Sequence, residues 1–98
     1  MTRQVAAVSE AYAASFGIVR DDDWYLLKLQ EEIGELTQSY LKLTRRARRQ
    51  QGEDALDTAF AEELADVLCH ALLAADHFGI DVTQTVEQKW LSKLEEAR

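Results

Sequence analysis

The chain has 98 residues, 47% of them hydrophobic and 30% charged, which leaves room for one core, since chains near this size bury roughly 60 to 70% of their unfolded surface. A net charge of −7 excludes broad contact with a nucleic-acid polymer, which rests on Lys and Arg neutralising phosphates, and suits cation binding instead. No apolar run approaches the ~20 residues that cross a bilayer, and the N-terminus lacks the basic-then-apolar layout of a secretory signal, so residues 1–98 are read as a single soluble, cytoplasmic domain with no membrane partner.

There is no proline, and only four glycines punctuate a sequence rich in Ala, Leu, Glu, Gln and Arg, which favours helix throughout. Val5, Val8, Tyr12 and Phe16 recur at three- and four-residue steps and give a first helix one apolar stripe before Gly17 ends it. Asp21, Asp22 and Asp23 then supply an N-cap and first-turn negative charge for a second helix. Its apolar face is Leu26, Leu29, Ile33, Leu36, Tyr40 and Leu43, and the basic run Arg45, Arg46, Arg48, Arg49 sits at its C-terminal end, where the helix dipole favours cations. Gln50 to Asp54 reads as a turn.

Phe60, Leu64, Val67, Leu68, Ala71, Leu72 and Ala75 mark a third amphipathic helix closed by Gly79. Asp81 and Gln84 resemble a capping box that opens a fourth helix carrying Val82, Val86, Trp90 and Leu94 and running close to the C-terminus. The expected fold is all-α, a bundle of three to four helices. A helix of ~25 residues is ~37 Å long, longer than a lone globule of this size is wide, so homo-oligomerisation, as a dimer or tetramer, is expected to complete the bundle.

Two strings interrupt the amphipathic pattern. Helix two carries Glu31, Glu32 and Glu35 in EEIGE, and helix three carries Glu62, Glu63 and Asp66 in EELAD. At about 100° per residue, Glu32 and Glu35 share one helix face, as do Glu63 and Asp66. If the helices pack antiparallel, as their short connection implies, the pairs converge beside the shared core. Clustered carboxylates repel one another unless a hard, oxygen-preferring cation joins them, and Mg²⁺ commonly links carboxylates to substrate phosphates. The bland reading is a solvated acidic surface, which an isolated ExxE would favour.

EEIGEL followed by EELADVL resembles the MazG-like all-α nucleotide pyrophosphohydrolases, whose pattern is EExxE, a spacer, then ExxD; the resemblance covers roughly Leu27 to Lys93. It implies that Glu32, Glu35, Glu63 and Asp66 hold magnesium, with manganese as the alternative ion, and form the catalytic centre. The implied reaction splits a nucleoside triphosphate into monophosphate and pyrophosphate, in keeping with nucleotide-pool house-cleaning. It also implies that Lys89, and a residue four positions on that is usually Asn or Arg, meet the nucleotide. Lys93 stands there in this sequence, which preserves attraction to phosphate and leaves base recognition open. The related phosphoribosyl-ATP pyrophosphohydrolases share the carboxylate layout and are the alternative within the superfamily; a non-catalytic acidic adaptor or dimerisation module is the alternative outside it.

His70 lies one turn beyond Asp66 on the same face and is a candidate contact for base or phosphates, whereas His77, two turns further on, reads more readily as structural. Tyr40, Trp24 and Trp90 could stack on a base, although core packing is the simpler role for Tyr40 and Trp90, and Trp24 could cover a helix entrance. Lys28 stands four residues before Glu32 and can pair with it. The arginine run is read as complementing its own helix end more than as guiding an anion. Cys69 is the only cysteine, which excludes an intrachain disulfide and makes a poor zinc site, so it is expected to be a buried small hydrophobe. Lys42 receives no role from the sequence.

Overall fold

The structure, a computed structural model, describes residues 1–45 and 52–94. The described residues form α1 (Thr2–Phe16), α2 (Asp22–Leu43), α3 (Glu53–His77), a short α4 (Val82–Val86) and a π-helical turn at Glu87–Leu91, with no strand among them. The protein is all-α.

Local chemistry sets the helix ends. Gly17 stops α1 by adopting φ 62° and ψ 31°, and the Ile18 N–H returns to the Ala13 carbonyl at 2.9 Å, which closes the exposed helix end. Asp21 opens α2 by accepting a hydrogen bond from the Trp24 N–H at 2.8 Å, while Asp22 and Asp23 place negative charge in the first turn. Asp81 caps α4 in the same way, accepting from the Gln84 N–H at 3.0 Å. Gly79, with φ 69°, turns the chain after α3, and the Ile80 N–H bonds the Ala75 carbonyl at 2.8 Å.

Three expectations need correction. First, α2 ends at Leu43, so Lys42 is the base in its last turn and Arg45 lies beyond it with φ 65°; Arg46, Arg48 and Arg49 fall outside the described residues. Second, the turn expected at Gln50 to Asp54 is shorter: Gly52 is the N-cap of α3, and residues 53 and 54 are already helical. Gln50 and Gln51 lie outside the described residues. Third, the fourth helix is not one continuous rod. It widens at Glu87–Leu91, where the Ser92 N–H reaches back five residues to the Glu87 carbonyl at 2.9 Å. Trp90, expected in the core, is 67% exposed, and Val86 and Leu94 are exposed with it. This segment touches α1–α3 only sparsely, so its apolar stripe has little among the described residues to pack on.

The body of the fold is the antiparallel pair α2 and α3, with α1 laid on α3. Direction follows from the contacts across the seam: Asp22 meets His77, Glu32 faces His70, and Tyr40 lies near Phe60. Facing residues fall at alternating steps of three and four. The series is Lys28, Glu32, Glu35, Ser39 and Lys42 on α2, against His70, Asp66, Glu63, Ala59 and Leu56 on α3, the spacing that keeps two helices in register. Apolar packing is confined to the two ends. Tyr25, Leu73 and Ala74 form one cluster with Val5, Ala6 and Trp24 around it, and Leu56, 1% exposed, anchors the other end.

The first helix buries a different face from the one its periodicity marks. Ala13 is buried and Val5 and Ala6 pack on the core, whereas Val8, Tyr12 and Phe16 are exposed. Small residues let α1 approach α3 closely, and the bulky stripe turns aside. The chain exposes 7614 Å² against about 5,700 Å² for a compact monomer of its mass. Its radius of gyration is 16.5 Å against about 12.6 Å. Large apolar side chains, among them Leu27, Leu64 and Trp90, stay exposed among the described residues.

The two glycines in helical surroundings should respond to alanine with opposite sign. A Cβ at Gly17 or at Gly34 meets no atom within 4 Å, so only the backbone matters. Gly17→Ala forces a methyl-bearing residue into the left-handed region and should cost about 1 kcal/mol. Gly34→Ala, in the middle of α2, should gain about as much. Chemical denaturation of both variants checks the pair.

Candidate metal centre

The polar band between the two apolar ends holds the carboxylates. Glu32 comes from α2, Glu63 and Asp66 from successive turns of α3, and one oxygen of each lies within 4.8 Å of the others. Glu32 is only 6% exposed. Its Oε2 and the Oε2 of Glu63 are both buried with no hydrogen-bond partner. An ionised oxygen withdrawn from water without a donor is strongly disfavoured, so two of them side by side describe a place that lacks a positive charge.

The protonation equilibria report the same tension. Burial raises the Glu32 pKa above the usual glutamate value, and the neighbouring charge of Glu35 adds to it. Burial likewise raises Glu63, followed by the charges of Glu35 and Asp66. Glu35, more exposed, thus acts on both; of the four expected ligands, Glu32, Glu63 and Asp66 are brought together, and Glu35 stands outside that group. Glu31 and Glu62 are exposed.

Positive charge near the band is sparse. Lys28 Nζ lies 3.5 Å from Glu32 Oε1 and 3.4 Å from Glu31 Oε2. Desolvation alone would lower its pKa, yet these two carboxylates raise it, keeping the ammonium charged. His70 Nε2 stands 3.8 Å from Glu32 Oε1. Burial, then the charge of Lys28, lowers its pKa, so the imidazole is neutral at pH 7 and does not balance the acidic band.

Beside the cluster opens a cleft of about 390 Å³. Glu32, Asp66, Lys28 and His70 form its polar end. Val8 and Tyr12 of α1, with Ile18 of the α1–α2 connection and Trp24 at the start of α2, form an apolar and aromatic wall. The Trp24 ring is held edge-on to Tyr25 at 5.0 Å between centroids and lies 6.2 Å from His70. Arg20 stands over the Trp24 and Tyr25 rings and donates to Ser9 Oγ at 2.8 Å, tying the α1–α2 connection to the same wall. An aromatic wall with a few convergent polar groups is the usual make-up of a small-molecule pocket.

The remaining sequence candidates lie elsewhere. His77 Nε2 donates to Asp22 Oδ1 at 2.7 Å and its ring stacks on Tyr25 at 4.0 Å, a structural position. Lys89 and Lys93 sit on the exposed segment after α4, and Lys93 Nζ lies 5.9 Å from the Trp90 ring centre; within one chain neither lines the cleft. Tyr40 faces Phe60 at 6.3 Å, away from the cleft, and Cys69 is half-buried. The α1 wall was missed in the sequence because the Val8–Tyr12 stripe has the spacing of a core face; only the position of α1 against α3 shows that it borders a cleft. Comparison with family models, curated proteins and solved structures finds no match, so the role of the cluster is argued from its geometry.

Glu32→Gln isolates the electrostatic strain. A carboxylate whose folded pKa is raised above 4.5 destabilises the fold above that raised value, and the penalty fades as pH falls towards the unfolded pKa. Without divalent metal, Glu32→Gln should therefore melt higher than wild type at pH 7.5, with the gain shrinking as pH approaches 4.5. Melting curves across that range decide it, and a gain that grew on acidification would contradict the assignment.

Proposed function

We propose that this chain is a magnesium-dependent nucleotide pyrophosphohydrolase that converts a nucleoside triphosphate to its monophosphate and pyrophosphate, with Glu32, Glu35, Glu63 and Asp66 as the metal-holding residues. The observation that carries this reading is the pair of buried, unpartnered carboxylate oxygens on Glu32 and Glu63, within a cluster whose oxygens approach to 4.8 Å. An all-oxygen donor set fits Mg²⁺ or Mn²⁺ better than zinc or copper. A solvated acidic face, as an adaptor would present, has no reason to bury unpaired oxygens.

Magnesium held there would supply Lewis-acid polarisation of phosphate oxygens and an activated water. The chain's own residues do the positioning. Trp24 and Tyr12 offer rings for a nucleobase, neutral His70 offers one donor and one acceptor at the edge of the cleft, and the Lys28 ammonium stands where the phosphate chain must pass to reach the carboxylates. Lys89 and Lys93 belong to substrate binding only if their segment docks beside the cleft in an assembly.

The assembly is itself part of the reading. The surface in excess of a compact monomer, about 1,900 Å² by the same scaling, is more than the roughly 800 Å² per partner that a stable dimer buries. Exposed Ile33, Leu64, Leu68 and Trp90 are the kind of residues it would cover. Light scattering at micromolar concentration should give a mass of two or four chains; a well-folded monomer would show that one chain tolerates these surfaces in water.

Pyrophosphate release from a panel of common and damaged nucleotides tests the activity. Turnover should require Mg²⁺ or Mn²⁺ and be poorly supported by Ca²⁺, which prefers larger and less regular oxygen shells. Glu35→Gln and Asp66→Asn should each weaken magnesium binding and lower turnover by orders of magnitude while the metal-free fold survives. Wild-type turnover in either variant would remove the proposed centre, and silence across the panel would favour the adaptor.

A further inference from the structure

On the side of the carboxylates opposite the aromatic cleft lies a second groove, of about 270 Å³, bounded by Glu35 and Glu63 and continued by Gln38, Ser39 and Lys42 over Leu56 and Ala59. It exists because the seam residues there are small: Ser39 faces Ala59, so the helices leave space that larger side chains would fill. Ser39 is buried, 9% exposed, and makes no hydrogen bond among the described residues. Lys42 makes no ion pair among them either. The Ser39 hydroxyl and the uncommitted Lys42 ammonium both line the space that Glu63, with its own orphaned oxygen, shares.

The spacing fits a chain of phosphates. Ser39 is one helical turn past Glu35, about 6 Å along the axis, and Lys42 about 10.5 Å. Helical side chains lean towards the N-terminus, so Lys42 leans back towards the carboxylates. The face of α2 thus reads lysine, two carboxylates, serine, lysine: Lys28 borders the aromatic cleft, and Lys42 closes the opposite end. Aromatic rings line the cleft on one side of the cluster, while the groove on the other side sets the Gln38, Ser39 and Lys42 donors over Leu56 and Ala59.

We propose that this second groove is a subsite for the terminal phosphates of the substrate and for the pyrophosphate they become, with the Ser39 hydroxyl, the Gln38 amide and the Lys42 ammonium as its donors. The proposal rests on the reaction given above and adds the direction in which the nucleotide lies: base against Trp24 and Tyr12, scissile bond over the carboxylates, leaving group towards Lys42. Glu35 and Glu63 in the wall would repel a bare polyanion, so the ligand is pyrophosphate as its magnesium complex.

Titration calorimetry of inorganic pyrophosphate into the full chain, in saturating Mg²⁺, measures the subsite without turnover. Wild type should bind. Lys42→Gln should bind about tenfold or more weakly, the scale of a lost charge-assisted hydrogen bond, and Ser39→Ala should bind several-fold more weakly, while affinity for Mg²⁺ alone stays unchanged in both. Lys28→Gln, at the other end, should lose less than Lys42→Gln. Unaltered pyrophosphate affinity in Lys42→Gln, a larger loss in Lys28→Gln, or no binding by wild type would each overturn the subsite. The two proposals fail separately. Binding of magnesium pyrophosphate by a protein that hydrolyses no nucleotide supports the groove and rejects the reaction; turnover that pyrophosphate inhibits equally in wild type and Lys42→Gln rejects the groove and keeps the reaction.

Discussion

Glu32 and Glu63 each hold one oxygen away from water with no donor to meet it, and the antiparallel packing of α2 on α3 keeps them beside Asp66 and Glu35. Pairing the two longest helices requires this band of carboxylates to be enclosed, and the band divides what would otherwise be a continuous hydrophobic seam. The apolar core is consequently small and split, with Tyr25, Leu73 and Ala74 at one end and Leu56 at the other. The fold carries its most unfavourable electrostatics at its centre.

That arrangement organises the space around it. Side chains that must avoid the acidic band, or that are too small to fill the seam, leave an opening on either side. One is walled by α1 and Trp24 and is largely apolar; the other sets Ser39, Gln38 and Lys42 over Leu56 and Ala59. Neutral His70 and charged Lys28 respond to the same field in opposite directions: burial drives the imidazole towards its neutral form, while Glu31 and Glu32 hold the ammonium in its charged form. A cation at the centre would relieve the repulsion among the carboxylates and make both openings parts of one site.

The surface follows from the same economy of core. With so few buried apolar residues, the chain leaves Val8, Phe16, Ile33, Leu64, Leu68 and Trp90 in water, and the segment after α4 has little to pack against. Each of these residues lies on a helix face whose periodicity marks it as a buried side. The face is encoded, and its cover is not provided by the described helices.

The sequence by itself determined the elements and their ends. Helix propensity, the apolar periods of α2 and α3, the caps at Asp21 and Asp81 and the stops at Gly17 and Gly79 are local properties, and local properties act within a turn or two of the backbone. It also determined that Glu32 and Glu35, and Glu63 and Asp66, share helix faces, because a spacing of three fixes that geometry. What only the tertiary structure decided is everything that depends on two elements meeting: that the two carboxylate pairs converge, that two of their oxygens lose all partners, that α1 turns Val5, Ala6 and Ala13 inward and leaves Val8 and Tyr12 to border a cleft, and that Ser39 opposite Ala59 opens a groove reaching Lys42. Spacing along one helix is silent on the size of the residue across the seam. The break in the fourth helix is of the same kind, since its stripe would favour a straight helix only with a surface to bury it, and no stretch of sequence states whether that surface is there.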